Sequence, residues 1–181
     1  MRTKLPALEK NILKYRALQI VLLLHQVESL RSFVIGSIRT SDKFATDTSR
    51  SELLPERAKR PMKKAFQILV SREIITEEES ADLQSIVNLR NQVGHEIHEL
   101  VSDISSPQKL SLRDHIYDYS ALDRFERYRD KISKGMMEHF VLEVSFRDLI
   151  FEQAEATYKE ELSRLHRRIE RLYEQRRKSA A

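Results

Sequence analysis

The sequence predicts an all-α fold, and three observations predict it. Glycines number three and prolines four in 181 residues, too few to punctuate a strand-rich chain. Apolar residues recur at three- and four-residue steps over most of the length, which is the helical period. Strands are hard to place anywhere. With hydrophobic residues at 40% and charged residues at 33%, long helices around one core, carrying a large solvated surface, are the natural outcome.

From Leu8 to about Ser37, Ile12, Leu13, Tyr15, Leu18, Ile20, Val21, Leu22, Leu24, Val27, Leu30, Phe33 and Val34 give a long helix with a wide apolar face. Residues 40–52, TSDKFATDTSRSE, lack periodicity and are rich in Ser, Thr and Asp, which predicts a loop. Pro55 or Pro61 then starts a basic helix that stops near Ile74. Thr76 and Glu79 stand at capping-box spacing before Leu83, Ile86, Val87, Leu89, Val93 and Ile97, so a further helix begins there. Ser102 to Leu112, with Pro107, breaks the pattern, and Tyr117, Leu122, Phe125, Tyr128 and Ile132 suggest one or two shorter helices. The stretch from about Met136 to Arg177 has no proline or glycine and predicts a single helix over 140–177. In it Leu162, Leu165, Ile169 and Leu172 form a coiled-coil seam that must pack against another helix, of this chain or of a second one.

The length fits one domain, or one domain with an extended arm. With no cysteine, disulfides and thiolate metal sites are excluded. The longest apolar run, Ala17 to Leu24, is interrupted by Gln19 and ends at His25, short of the roughly 20 residues that span a bilayer. No signal-peptide pattern follows Arg2 and Lys4. A cytoplasmic protein with no membrane partner is therefore expected.

The net charge of +4 is modest, and its distribution says more. Residues 56–72 carry Arg57, Lys59, Arg60, Lys63, Lys64 and Arg72 against Glu56 alone, and acidic residues 73–82 follow directly. The C-terminal stretch from Arg164 to Lys178 is basic again, partly offset by glutamates. Either stretch suits a phosphate backbone, and either also reads as a solvated helix face. Lys59, Arg60, Lys63 and Lys64 are the candidate RNA-binding residues.

The chemistry concentrates in Arg90-Asn91-Gln92-Val93-Gly94-His95. On a helix Asn91 and His95 share a face, whereas Arg90 and His95 are rotated by about 140°. The guanidinium must swing round, or meet its match across a symmetric interface. Gly94 costs roughly 1 kcal/mol of helix stability relative to alanine and lets a backbone or substrate approach His95. Metal-independent RNA cleavage needs these residue types: an imidazole to move the ribose 2′-hydroxyl or leaving-group proton, and a guanidinium to stabilise charge on phosphorus. Asn91 would orient either. A helical histidine is also a common surface or core residue, and so are His25, His115, His139 and His166.

The string Asn88 to His95 resembles the motif of HEPN domains, in which Arg, a polar residue that is commonly Asn, several variable residues and His lie on a late helix of an α-helical bundle. The surrounding order over residues 8–103, a long first helix, a variable loop, a second helix and the motif helix, is similar too. The resemblance implies an up-and-down bundle over 1–120; a C-terminal helical extension over 121–181, a candidate coiled-coil arm, lies outside it. It further implies a homodimer whose Arg90 and His95 pairs converge on one cleft. The implied activity is that of a metal-independent endoribonuclease of toxin or antiphage-defence type, restrained by an antitoxin or other protein partner, with catalytic Arg90, Asn91 and His95. Many HEPN proteins are instead inactive binders, so a non-catalytic helical interaction module or nucleic-acid-binding protein is the alternative.

No metal and no cofactor is expected. His95-Glu96-Ile97-His98-Glu99 places its histidines three apart, not at the His-Glu-x-x-His spacing of zinc hydrolases. There is neither a glycine-rich phosphate loop nor a Gly-x-Ser-x-Gly elbow.

Overall fold

The computed structural model describes residues 5–45, 51–95, 104, 117–143 and 146–180, with the side chains of 89–95, 146–150, 152 and 180 outside that description. Among the described residues the chain is all-helical: α1 (Ala7–Phe44), α2 (Pro61–Ser71), α3 (Glu77–His95), α4 (Ala121–His139) and α5 (Phe146–Ala180). α1 is the central helix, and each of the other four packs against it.

The core follows from the periodicity. Leu22, Leu30, Val34 and Ile38 on α1, Phe66 and Leu69 on α2, Leu83 and Ile86 on α3, and Phe125, Ile132 and Met136 on α4 are all essentially inaccessible to solvent. Leu162 of α5 joins the same cluster. α1 is also long and apolar enough, by length and composition, to cross a membrane, which the short Ala17 to Leu24 run alone did not suggest. Here fifteen of its residues are buried against its neighbours.

α3 starts where the capping box predicts. The Thr76 backbone N–H donates to Glu79 Oε2 at 2.8 Å, and the Glu79 N–H donates to Thr76 Oγ1 at 3.2 Å, satisfying two otherwise orphaned donors. α3 and α4 run antiparallel, because Glu79 binds Lys131 Nζ while Asp82 binds Arg124 and Tyr128, one to two turns nearer the α4 N-terminus. Gly135 permits the close approach at their base, where a Cβ would lie 2.6 Å from Ile74 Cγ2.

Pro61, rather than Pro55, occupies the start of α2. The helix ends at Ser71 in a Schellman arrangement: the Ile74 N–H reaches the Leu69 carbonyl at 3.0 Å and the Glu73 N–H reaches Val70 at 2.9 Å. Glu73 adopts a left-handed φ of 59° there.

Two expectations are corrected. Residues 40–44, expected in a loop, are helical and belong to α1. Their hydroxyls do not compete with the helix. Ser41 Oγ donates to the Ser37 carbonyl at 2.8 Å, and both serines accept backbone N–H groups from a distant segment, Val141 to Ser41 Oγ at 2.7 Å and Glu143 to Ser37 Oγ at 2.9 Å. Thr40 Oγ1 donates to Glu143 Oε2 at 3.1 Å. The loop-like composition serves a tertiary contact.

That same contact explains the second correction, since the single helix expected over 140–177 does not begin at residue 140. α4 stops at His139, Phe140 takes extended angles (φ −138°, ψ 154°), and α5 begins at Phe146. In an extended stretch alternate N–H groups point the same way, so residues 141 and 143 both donate to α1 while Phe140 and Leu142 pack on the core. Tertiary hydrogen bonds and apolar burial here override the lack of a helix breaker.

α5 then runs antiparallel along α1: Glu155 accepts from Gln26, His166 lies by Tyr15, and Arg176 pairs with Glu9. The Leu162, Leu165, Ile169 and Leu172 seam finds its partner inside the chain, with Ile169, Leu172 and Tyr173 packed on Leu8 and Ile12. Leu162 and Leu165 are 6% and 4% exposed, a burial that contributes about 1.5–3 kcal/mol for each side chain.

Candidate nucleic-acid interface

α3 carries the motif on its last turns. The helix is continuous to His95, so backbone positions 91 and 95 lie on successive turns of one side, and position 90 is rotated about 140° from position 95. The side chains of Arg90, Asn91 and His95 lie outside the described residues, as do His98 and His115. The described side chains of α3 end at Val87, half-buried, and Asn88, exposed.

Val87 lines a groove of about 190 Å³ between α1, α2 and α3, together with Val27, Glu28, Arg31, Arg60, Met62 and Lys63. Helical register sets positions 90 and 91 within about 60° of Val87, one turn further on. Two of the four candidate RNA-binding cations, Arg60 and Lys63, thus share a groove with the helix that bears the motif. Lys59, just before α2, and Lys64, on its first turn, are exposed.

Electrostatics at this turn are uncompensated. α1, α3 and α4 each hold acids in their first turn, where the positive end of the helix dipole favours them. α2 holds none and begins instead with cations. None of Lys59, Arg60, Lys63 and Lys64 meets a carboxylate among the described residues. Arg60 also adopts a left-handed backbone, φ 53°, a conformation that costs a non-glycine residue roughly 1–2 kcal/mol. Arg31, which the sequence did not single out, joins the groove from α1 and pairs with Glu28 at 3.4 Å. Its signal was available: it stands one helical turn beyond Val27.

Another polar depression is of a different kind. About 410 Å³ in volume, it is bordered by His25, Gln26, Arg129, Glu155 and Lys159. Its charges answer one another: Lys159 Nζ lies 2.8 Å from Glu126 and 2.7 Å from Glu155, and Arg129 lies 3.4 Å from Glu155. Partial burial pushes the Glu155 carboxyl up, but the Lys159 ammonium, the Arg129 guanidinium and the Gln26 amide together outweigh it and hold the group below the usual range. This network fastens α4 and α5 to α1.

Two of the histidines outside the motif have structural surroundings. His25 stacks on Phe151 at 3.4 Å between ring centroids, and His166 pairs with Glu170 at 3.1 Å. Among the described residues no cluster of three His, Asp or Glu is arranged to hold a metal ion. No family model, curated protein or solved structure matches this chain.

Proposed function

We propose that this chain is a metal-independent endoribonuclease of HEPN type, a toxin or defence effector restrained by a protein partner. The observation that carries the reading is the continuity of α3 through His95, which extends the Val87 stripe from a cation-lined groove into the Arg90 to His95 motif. Phosphates held by Arg60, Lys63 and their neighbours would bring the ribose of a bound strand to the motif turn. There His95 takes the 2′-hydroxyl proton, the 2′-oxygen attacks phosphorus, and Arg90 stabilises the charge that develops on the equatorial oxygens. The P–O5′ bond breaks as the His95 imidazolium returns the proton to the 5′-oxygen, which leaves as a hydroxyl, and the other product ends in a 2′,3′-cyclic phosphate. A twofold homodimer brings Arg90 and His95 of two chains into one cleft and overcomes their offset on a single helix.

The test is cleavage of an end-labelled RNA by the purified chain in EDTA. His95→Ala is expected to abolish cutting with helicity unchanged, and Arg90→Lys to remain badly impaired because the planar fork is lost. DNA should resist for want of the 2′-hydroxyl. Cutting that survives His95→Ala, requires a metal, or extends equally to DNA would return the motif to a structural role. The α2 cations, unpaired among the described residues, also support a second reading, a nucleic-acid binder that does not cleave, for which RNA is retained intact in the same assay.

A further inference from the structure

Ion pairs in this molecule gather where helices meet: Lys131 with Glu79, Arg124 with Asp82, Lys159 with Glu126, Arg176 with Glu9. The outer face of α5 breaks that pattern. At about 100° per residue, Arg164, Arg167, Arg168, Arg171, Gln175 and Lys178 fall in a sector roughly 100° wide. That sector lies on the far side of α5 from Leu162, Leu165 and Ile169, and all six residues are exposed. Over this length no carboxylate enters it.

The stripe is nearly unpaired. Arg164 has only long contacts of 3.6 Å to Glu160 and Glu161, and Arg167 donates to the Ser163 carbonyl at 3.3 Å. Arg168, Arg171 and Lys178 meet no carboxylate among the described residues. Cations three and four residues apart on a helix repel, by about 0.2–0.5 kcal/mol for each pair, and among the described residues only the two long Arg164 contacts offset it.

We infer that this stripe is a docking rail for a nucleic-acid phosphate backbone, separate from the α2 cluster and independent of any cleavage. From Arg164 to Lys178 the helix rises about 21 Å, the reach of about six phosphates along one strand at roughly 3.4 Å each. Four of the five cations are arginines, whose planar forks match phosphate oxygens. The sector holds no aromatic or aliphatic side chain, so it lacks the anchors that concentrate affinity in protein interfaces. The apolar face of α5 is spent on α1, so no apolar flank remains to enter a bilayer. Contacts confined to phosphates carry no sequence information, so binding is indifferent to sequence.

The test is the affinity of the full chain for a fluorescent single-stranded DNA oligonucleotide, and for its duplex, across a salt series. DNA has no 2′-hydroxyl, so the result does not depend on whether the protein cuts RNA. Arg168→Gln with Arg171→Gln is expected to weaken single-strand binding by about 25-fold near 0.1 M salt, and to lower the salt slope by about 1.4. The pair Arg127→Gln and Lys134→Gln, exposed on α4, removes equal charge and should leave both unchanged, with far-UV circular dichroism verifying the fold. Unchanged binding in the α5 variant, or an equal loss in the α4 variant, would overturn the proposal. So would competition by polyglutamate as strong as that by an oligonucleotide of the same charge, because the surface would then suit an acidic protein.

Discussion

Arg16 Nε donates a 2.6 Å hydrogen bond to Tyr119 Oη, joining the N-terminal third of α1 to the segment that leads into α4. Arg16 is 2% exposed, and its guanidinium lies 5.2 Å from the ring centroids of both Tyr117 and Tyr119. A buried cation is tolerated only where hydrogen bonds and ring faces replace its water. Burial pushes the Tyr117 hydroxyl well above its ordinary range, so the ring stays neutral beside it. Tyr117 Oη reaches the Arg16 carbonyl at 3.5 Å, and Gln19 donates to the Tyr119 carbonyl at 3.1 Å. The 117–119 segment is thereby clamped to α1 by polar contacts inside an otherwise apolar interface.

Removing that clamp should be costly. Arg16→Ala is expected to lower stability by about 2–4 kcal/mol, because it deletes packing, removes the cation from the two ring faces and leaves the Tyr119 hydroxyl without its donor. Tyr119→Phe should cost less, about 1–2 kcal/mol. Urea unfolding midpoints at constant m-value measure both, and an Arg16→Ala midpoint equal to the wild type would mean that the clamp contributes nothing.

Glu73 gives a prediction of opposite sign. It occupies the left-handed position that closes α2, is exposed, and has no partner among the described residues. Glycine adopts that conformation without a Cβ penalty. Glu73→Gly should therefore raise stability by about 0.5–1 kcal/mol, the strain relieved exceeding the entropy that glycine adds to the unfolded chain. Thermal melts would register this as a small upward shift, and a downward shift would show that the Glu73 side chain contributes more than its strain.

What the sequence made legible, and what it did not, divides on the range of the interactions. The capping box at Thr76, the apolar face of α1 and the heptad seam of α5 are local patterns, readable because helical periodicity forces neighbours three and four apart onto one face. Ser37, Ser41 and Glu143 were opaque for the converse reason. Their partners are about a hundred residues away, so hydroxyls that look like loop composition prove to be the acceptors for an extended linker. The motif could be recognised as a string. Its neighbourhood, the groove shared by Val87, Arg60 and Lys63, depends on how three helices meet, and no spacing rule supplies that.

The α3–α4 interface sets the acid response. Partial burial pushes the Asp82 and Asp118 carboxyls up, but the Arg124 guanidinium, with help from Tyr128 and Ser120, outweighs it and holds both below the ordinary 3.8. Arg124 lies 2.9 Å from Asp82 and 2.8 Å from Asp118. A carboxyl depressed in the folded state binds fewer protons there than in the unfolded state, so its contribution is complete above the unfolded value and is lost as pH falls through the folded one. Stability should hold near neutrality and decline as pH drops from about 5 downward. Asp82→Asn should flatten part of that decline, and a decline of identical depth in the variant would remove Asp82 from the account. All three groups are partly exposed, so salt will mute the effect.

The strained start of α2 separates stability from function. Arg60 holds a left-handed backbone conformation that glycine adopts freely, yet the residue there is a cation facing the groove beside α3. Backbone strain kept at a position with an outward charge is what a binding role selects and a folding role alone does not. Arg60→Gly should therefore stabilise the fold, by about 0.5–1 kcal/mol, while weakening RNA binding by about 5-fold near 0.1 M salt, the effect of one phosphate contact on a single strand. Arg60→Lys keeps the charge and the strain, so it should retain most of the affinity with no gain in melting temperature. Measured side by side, melting temperature and RNA affinity should move in opposite directions in the glycine variant. If affinity is unchanged while stability rises, the α2 turn is a solvated face, and the groove beside Val87 does not receive the strand.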